Sequence, residues 1–351
     1  MVNYYREKMR ALSLRSCCCL VILTLVNTGY GATWVVDKNE SNQPDFTSLT
    51  TALETATAGD IIYLAPAGGD YGTLTIDKSI TIIGSGFGKP ETAPEGPLTE
   101  SSIRNIVVSG SASNVFLSGL VIDYDVEVTG GASGVTLFRN EVHGGIETLV
   151  GDGPITNLLV VNNVIRAVRM GSSRTPRVNG FFFANNICED FRFYPGDVQI
   201  LNNVFEQASG GNRMLDIDLG GSIPNLIASG VARNNIFIFG TIDFSPADCA
   251  FSHNLFDIAG NLTVGETDLR FREADEIVVN VGEYGAKYVL VENSPAIGAG
   301  SDGSDIGIFG GPHPWNLNHQ PPIPFITRFD APTLLGAGDS LQVTIEAQSN
   351  N

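Results

Sequence analysis

One asparagine setting recurs along this chain: a short apolar stretch, then Asn, then another apolar residue or two. It stands at Asn140 (RNEV), Asn163 (NNVI), Asn186 (NNIC), Asn203 (NNVF), Asn235 (NNIF) and Asn254 (HNLF). Successive gaps are 23, 23, 17, 32 and 19 residues, so the repeating unit is one coil of a solenoid rather than a domain. The residues before each Asn alternate at period two (Val135 and Leu137, Leu158 and Val160, Phe181 and Phe183, Val198 and Ile200), which reads as strand. No helical spacing runs between Ile80 and Phe271, and 40 glycines in 351 residues suit a turn every few residues. The spacing therefore predicts a strand solenoid and argues against a helical-repeat one.

An amide at the same point of every coil has a physical use. Facing inward at a sharp turn, it can donate to and accept from its counterparts in adjacent coils and bond the turn's own backbone. A column of such residues satisfies polar groups that are costly to bury alone. The apolar residue two places on (Val142, Ile165, Cys188, Phe205, Phe237, Phe256) favours this inward ladder over exposed turn asparagines.

Arg6, Lys8, Arg10 and Arg15 precede an apolar run from Cys17 to Val26, followed by the small residues of Gly29-Tyr-Gly-Ala32. That order predicts a secretory signal peptide over 1–32, with an apolar run too short to span a bilayer. The chain carries a formal charge of −18, more negative once those four basic residues leave. Such a surface disfavours nucleic acid and anionic membranes and is compatible with calcium. Three of the five cysteines lie in the signal. Cys188 and Cys249 fall at different coil levels, so buried thiols are expected rather than a disulfide scaffold.

The mature N-terminus reads as a strand at Trp34–Val36, then a helix carrying Phe46, Leu49, Ala52, Leu53 and Ala56, with Asp45 as N-cap and Gly59 as stop. Strands follow at Asp60–Leu64, Gly72–Ile76 and Ser79–Ile83. A helix here would cover the first coil and blunt an open sheet edge.

Several stretches carry a resemblance: Trp34-Val-Val-Asp, Phe46-Thr-Ser-Leu, Ala58-Gly-Asp-Ile-Ile-Tyr-Leu, Gly69-Asp-Tyr-Gly-Thr-Leu-Thr-Ile and Lys78-Ser-Ile-Thr-Ile-Ile-Gly. They resemble the entrance of the right-handed parallel β-helix repeat proteins of the pectin-lyase-like superfamily. Asn293-Ser-Pro-Ala-Ile-Gly-Ala-Gly and Ser304-Asp-Ile-Gly-Ile-Phe-Gly-Gly are similar to the closing coils of bacterial members. The resemblance implies an all-β right-handed parallel β-helix over 33–312, with an N-terminal capping helix and roughly ten coils. Each coil would give three short strands to three sheets, with coils about 4.8 Å apart. It further implies a polysaccharide lying along one sheet, but fold does not fix activity.

The motifs that mark catalysis in such proteins are mostly missing. Of the galacturonan hydrolase pattern only His143-Gly-Gly comes near; Gly240-Thr-Ile-Asp-Phe244 is similar to a pectin esterase segment before it departs, leaving Asp243 as a turn residue. A lyase of this fold needs a cation on the substrate carboxylate and a base beside C5. No Lys stands between Lys89 and Lys287, so the Lys–Arg pairing of the alginate and chondroitin lyases cannot be carried over, although Arg is available.

With the asparagines as a ruler, His143, Arg166, Glu189, Glu206 and Asp257 occupy the third position after each, with Ile238 the exception, while Arg169 and Arg192 occupy the sixth. This register predicts a patch in which His143, Arg166, Arg169 and Arg192 are candidate catalytic groups. Glu189, Glu206 and the aromatic loop Phe191, Phe193 and Tyr194 are candidate sugar contacts. The competing reading is a solvated face of exposed ion pairs. Asp123 with Asp125, and Asp216 with Asp218, alternate along strands and are candidate calcium ligands. Asp302 and Asp305 read as turn formers.

Beyond Gly311 the prolines at 312, 314, 321, 322 and 324 mark a linker or extended strap, and Phe325–Asp330 and Ser340–Ala347 read as two strands. The expected layout is a signal at 1–32, a β-helix at 33–312, and a Pro-rich linker with a short β segment at 313–351. Two functions stand open: an exported protein that binds and cleaves polysaccharide in the manner of a uronic-acid lyase, with a glycan as partner and calcium as its candidate cofactor; or a non-catalytic carbohydrate-binding or adhesion β-helix.

Overall fold

A computed structural model describes residues 31–88, 100–170, 178–193, 197–206, 215–217, 229–238, 242–244, 249–257, 267–271, 273–282, 284–317, 319–330 and 343–348. The expected signal therefore lies almost wholly outside them. Between Thr33 and Phe271 every described strand pairing is parallel, and the chain winds as a parallel β-helix. Among the described residues one sheet has ten strands, from Thr33–Val36 to Cys249–Ser252. Its inward column runs in register through Ile62, Ile82, Leu117, Leu137, Val160, Phe183, Ile200 and Ala232.

The other two expected sheets are joined into one of 14 strands. Strands Glu141–Leu149, Val164–Met170 and Ile187–Phe193 run through the corner that would separate them. The first half of each pairs in one ladder and the second half in another, with a register shift between Val142 and Gly145. Inside, Phe205, Phe237 and Phe256 stack with centroids 5.0 and 4.8 Å apart and planes within 6°. That spacing is the rung repeat of the solenoid itself.

The N-terminal helix is present as Leu49–Thr55, but Ser48 caps it, accepting from the Thr51 N–H. Asp45 instead accepts from the Val35 N–H (2.8 Å) on the outer edge of the first strand. The Lys78 ammonium donates to the Leu53 and Ala56 carbonyls at the helix C-terminus, where the helix dipole favours a cation.

The asparagine column is fully buried, and each member bonds the next. Asn163 Oδ1 accepts from both the backbone N–H and the side-chain amide of Asn140 (2.8 and 3.0 Å); the pattern repeats through Asn186, Asn203, Asn235 and Asn254 and ends on Asp268. Each amide also donates to a carbonyl one coil back, such as Asn186 to Val160. The residue just before each ladder asparagine is left-handed: Arg139, Asn162, Asn185, Asn202, Asn234 and His253 all have φ between 54° and 61°. Asparagine tolerates that conformation better than most residues, which explains the Asn-Asn pairs.

The segment read as closing coils does not add rungs. From Tyr284 onward the chain lies along the outside of the coils as a strap, and its described residues from Ala296 to Pro321 follow the left-handed turns and pass the coils in reverse order. Ser301 N–H donates to Asn234 Oδ1, Asn202 donates to the Asp305 and Gly307 carbonyls, and Asn185 to those of Ile308 and Gly310. Farther along, Asn162 reaches the His313 carbonyl and Arg139 that of Gln320. Under the strap lies a second apolar layer built from Val164, Ile187, Val204, Ile236 and Leu255 against Ile306, Ile308 and Trp315; Trp315 and His319, expected in a linker or an extended strap, are buried on the solenoid as part of a strap. Asp302 and Asp305 form turns as expected, accepting from the Ser304 and Gly298 N–H groups. Phe325–Asp330 and Thr344–Gln348 form an antiparallel pair.

Candidate functional site

The register set by the asparagines places His143, Arg166, Glu189 and Glu206 on successive rungs, because the preceding residues Val142, Ile165, Cys188 and Phe205 pair in that order. Those four point inward, so their successors project outward beside the strap. Asp123 joins the column, its Oδ1 4.0 Å from His143 Nδ1.

The strap supplies the other wall, which sequence reasoning missed. A short 3-10 helix, Tyr284–Tyr288, lies over the column. Lys287 places its ammonium 2.7 Å from both oxygens of Glu206, and the Tyr288 hydroxyl donates to the same carboxylate. Burial, reinforced by the charge of Glu206, pushes the Tyr288 phenol far above its ordinary value, so it acts there as a donor. The lysine absent from the coils thus reaches them from outside. Glu206, expected to contact sugar, is engaged in holding this wall.

Glu141 was also missed. It occupies the first position after Asn140, in register with Val164 and thus with an apolar column, and its side chain is only 12% exposed. His143 Nε2 lies 3.2 Å from Oε1, and the Tyr284 hydroxyl donates to Oε2 at 3.2 Å. Burial raises the Glu141 carboxyl above its ordinary value, the charge of Glu100 adds to this, and His143 and Tyr284 oppose it. A charged residue at a position otherwise held by Val, Ile and Leu was the available signal. Glu189 is raised as well, through partial burial of its carboxyl, with Arg166 opposing and Glu206 adding, although the residue as a whole stays exposed.

Arg169 and Arg192 are directly paired in register, as expected. Arg169 bonds Glu147 (2.8 Å) and approaches Asp190; Arg192 approaches the same Asp190 at 3.4 Å. Both are thereby committed to carboxylates, whereas Arg166 is exposed and meets Glu189 only electrostatically among the described residues.

Phe191 must be reassigned. It lies in a strand rather than a loop, is fully buried, and packs on Phe181, Phe183 and Phe205, so it has no face to offer a sugar. The backbone of Phe193 pairs with Ile217; its side chain and Tyr194 lie outside the described residues.

Asp123 and Asp125 serve separate contacts. Asp125 accepts from the Gly145 N–H (2.7 Å) to hold the corner, while Asp123 accepts from the Ser102 hydroxyl. Calcium takes six to eight oxygens, and among the described residues no three of His, Cys, Asp and Glu gather as a metal site. Asp216 pairs through its backbone with Arg192 and Asp243, the latter in a strand rather than the turn expected, and Asp218 lies outside the described residues. Cys188 is a buried free thiol, as expected, and burial raises it well above its ordinary value.

No family model matches the chain, and no curated protein matches it. Among the solved structures that match, one is a rhamnogalacturonan lyase, 14% identical over 64% of this chain and 73% of its own, with a TM-score of 0.30. Another is a pectin methylesterase in complex with a hexasaccharide, 16% identical over 74% of this chain and 97% of its own, with a TM-score of 0.31. Among the described residues no helix is long and apolar enough to cross a membrane.

Proposed function

We propose that this is an exported β-helix protein that binds polysaccharide at the junction of coils and strap, and that the same junction cleaves uronic-acid polymers by β-elimination. Arg166 carries the reading: it is the exposed cation in the middle of the column, one rung from His143, with no direct ion pair to a described carboxylate. In that role Arg166 meets the sugar carboxylate and stabilises charge as the proton on C5 leaves. His143 takes that proton. The C4–O bond breaks as the C4=C5 double bond forms, and the buried Glu141 carboxyl protonates the departing oxygen. No water or co-reactant enters.

A second reading is favoured by the lattice Glu147–Arg169–Asp190–Arg192, whose charges cancel and which suits a binding surface without chemistry. Incubating the protein with a panel of uronic-acid polysaccharides, with and without calcium, while following the absorbance of unsaturated ends separates the two. New absorbance supports the lyase. Gel retardation by a glycan without absorbance supports binding alone, and silence in both assays contradicts the proposal.

A further inference from the structure

We infer that Tyr284 is a positioning residue for Glu141, and that the strap carrying it is a working half of the site rather than a cover for the coils. This rests on the reading of Glu141 and His143 above, but the contact itself can be tested without activity.

The column that contains Glu141 continues as Val164, Ile187, Val204, Ile236 and Leu255, all serving the apolar layer beneath the strap except at this one rung. A lone carboxylate in such a layer loses hydration and needs compensating bonds. It receives one on each oxygen, from His143 on Oε1 and from Tyr284 on Oε2, which fixes the plane of the carboxyl and the facing edge of the imidazole. The charged or titratable groups facing it are His143 on its own strand, Glu100 from two coils back and Tyr284 from the strap.

Tyr284 is itself held with care. Its φ is +48°, a conformation a bulky residue keeps only when its surroundings over-determine it. Its ring meets Phe87 (centroids 5.6 Å apart, planes 65°) and His319 (5.1 Å, 65°), and the corner is closed by Gly88, where an added Cβ would lie 2.8 Å from the tyrosine ring and 3.1 Å from His319. A side chain that only filled space would need neither the strained backbone nor a hydroxyl aimed at the buried carboxylate of this column.

The test is Tyr284→Phe, which keeps the ring in its cage and removes the donor. With the circular dichroism unchanged, the 13C titration of the Glu141 carboxyl should move upward by roughly half to one pH unit, since a bond to the ionised form is lost. Should glycan cleavage be established, kcat should fall about tenfold, with KM within about twofold and the pH profile displaced in the same direction. In the unsubstituted chain, the Tyr284 ring carbon bearing the hydroxyl should follow the Glu141 titration, a readout that needs no variant to fold. An unmoved Glu141 titration in Tyr284→Phe, or a Tyr284 resonance indifferent to Glu141, overturns the inference. Absence of any glycan activity in the unsubstituted chain would count against the proposed function alone and leave this contact standing.

Discussion

Asn185 and Asn186 are neighbours of identical chemistry with opposite duties. Asn186 points inward, is fully buried, and bonds Asn163 above and Asn203 below. Asn185 takes the left-handed turn, points outward, and holds the Ile308 and Gly310 carbonyls of the strap. The same division recurs at Asn202–Asn203 and Asn234–Asn235. A change in φ at one residue separates an inner column that binds coil to coil from an outer row that binds the strap and, through it, completes the candidate site.

The largest break is on the inner side. Asn186→Ala leaves the Asn163 N–H buried without its partner and strips one bond each from the Asn163 amide and the Val160 carbonyl, and should cost about 3–5 kcal/mol in chemical denaturation, at about 1–3 for the stranded group and about 1 for each bond lost. A cost below about 1 kcal/mol would mean that the column is not what joins the coils.

Next comes the strap's aromatic clasp. Burial among Phe87, Tyr284 and Trp315 lowers the His319 pKa from 6.5 to about 4. The folded state therefore binds its proton less readily than the unfolded chain. The stability contributed by the neutral ring is whole above pH 6.5 and fades as pH falls towards 4, by roughly 2–3 kcal/mol. His319→Phe should flatten that part of the stability–pH curve; an unchanged slope would show that the histidine is not the titrating group.

The outer row should respond more mildly and locally. Asn185→Gly keeps the left-handed backbone but releases two strap carbonyls, so a loss of about 1–2 kcal/mol is expected. Faster amide exchange should appear in 305–313 while the inner coils stay protected. Slower exchange, or uniform loosening of the coils, would erase the distinction between the rows.

The smallest effect is expected at Glu141→Gln. Because burial raises this carboxyl, the folded state disfavours its ionised form, and that handicap grows as pH rises through the folded pKa. The amide should leave stability near neutral pH unchanged or higher by up to about 1 kcal/mol, while abolishing any cleavage. A loss of stability there would recast Glu141 as structural.

The inner column was legible because a side chain that must recur once per coil leaves its period in the sequence. The same ruler placed His143, Arg166 and Glu189 on neighbouring rungs. The strap left no such period: it engages the coils largely through its own backbone carbonyls, which any residue supplies, and Asn185 reaches Ile308 across 123 residues. One local sign did exist. After every ladder asparagine except Asn140 two consecutive residues are apolar, as in Val164-Ile165 and Val204-Phe205, although a strand with one solvent face should alternate; both faces are covered, one by the interior and one by the strap. Phe191 was misplaced for a related reason. Its aromatic neighbours suggested a loop, but its pairing with Val168 carries the strand through the corner and turns its ring inward. Lys287 and Tyr288 could not be assigned to the column before the path of the strap was known.

The most direct test is to map amide exchange with and without a glycan that the protein retards. The account predicts new protection at 141–146, at 164–169 and at 284–288 together, lost in Arg166→Ala. Protection confined to the ten-stranded sheet, or unchanged by that substitution, would contradict it.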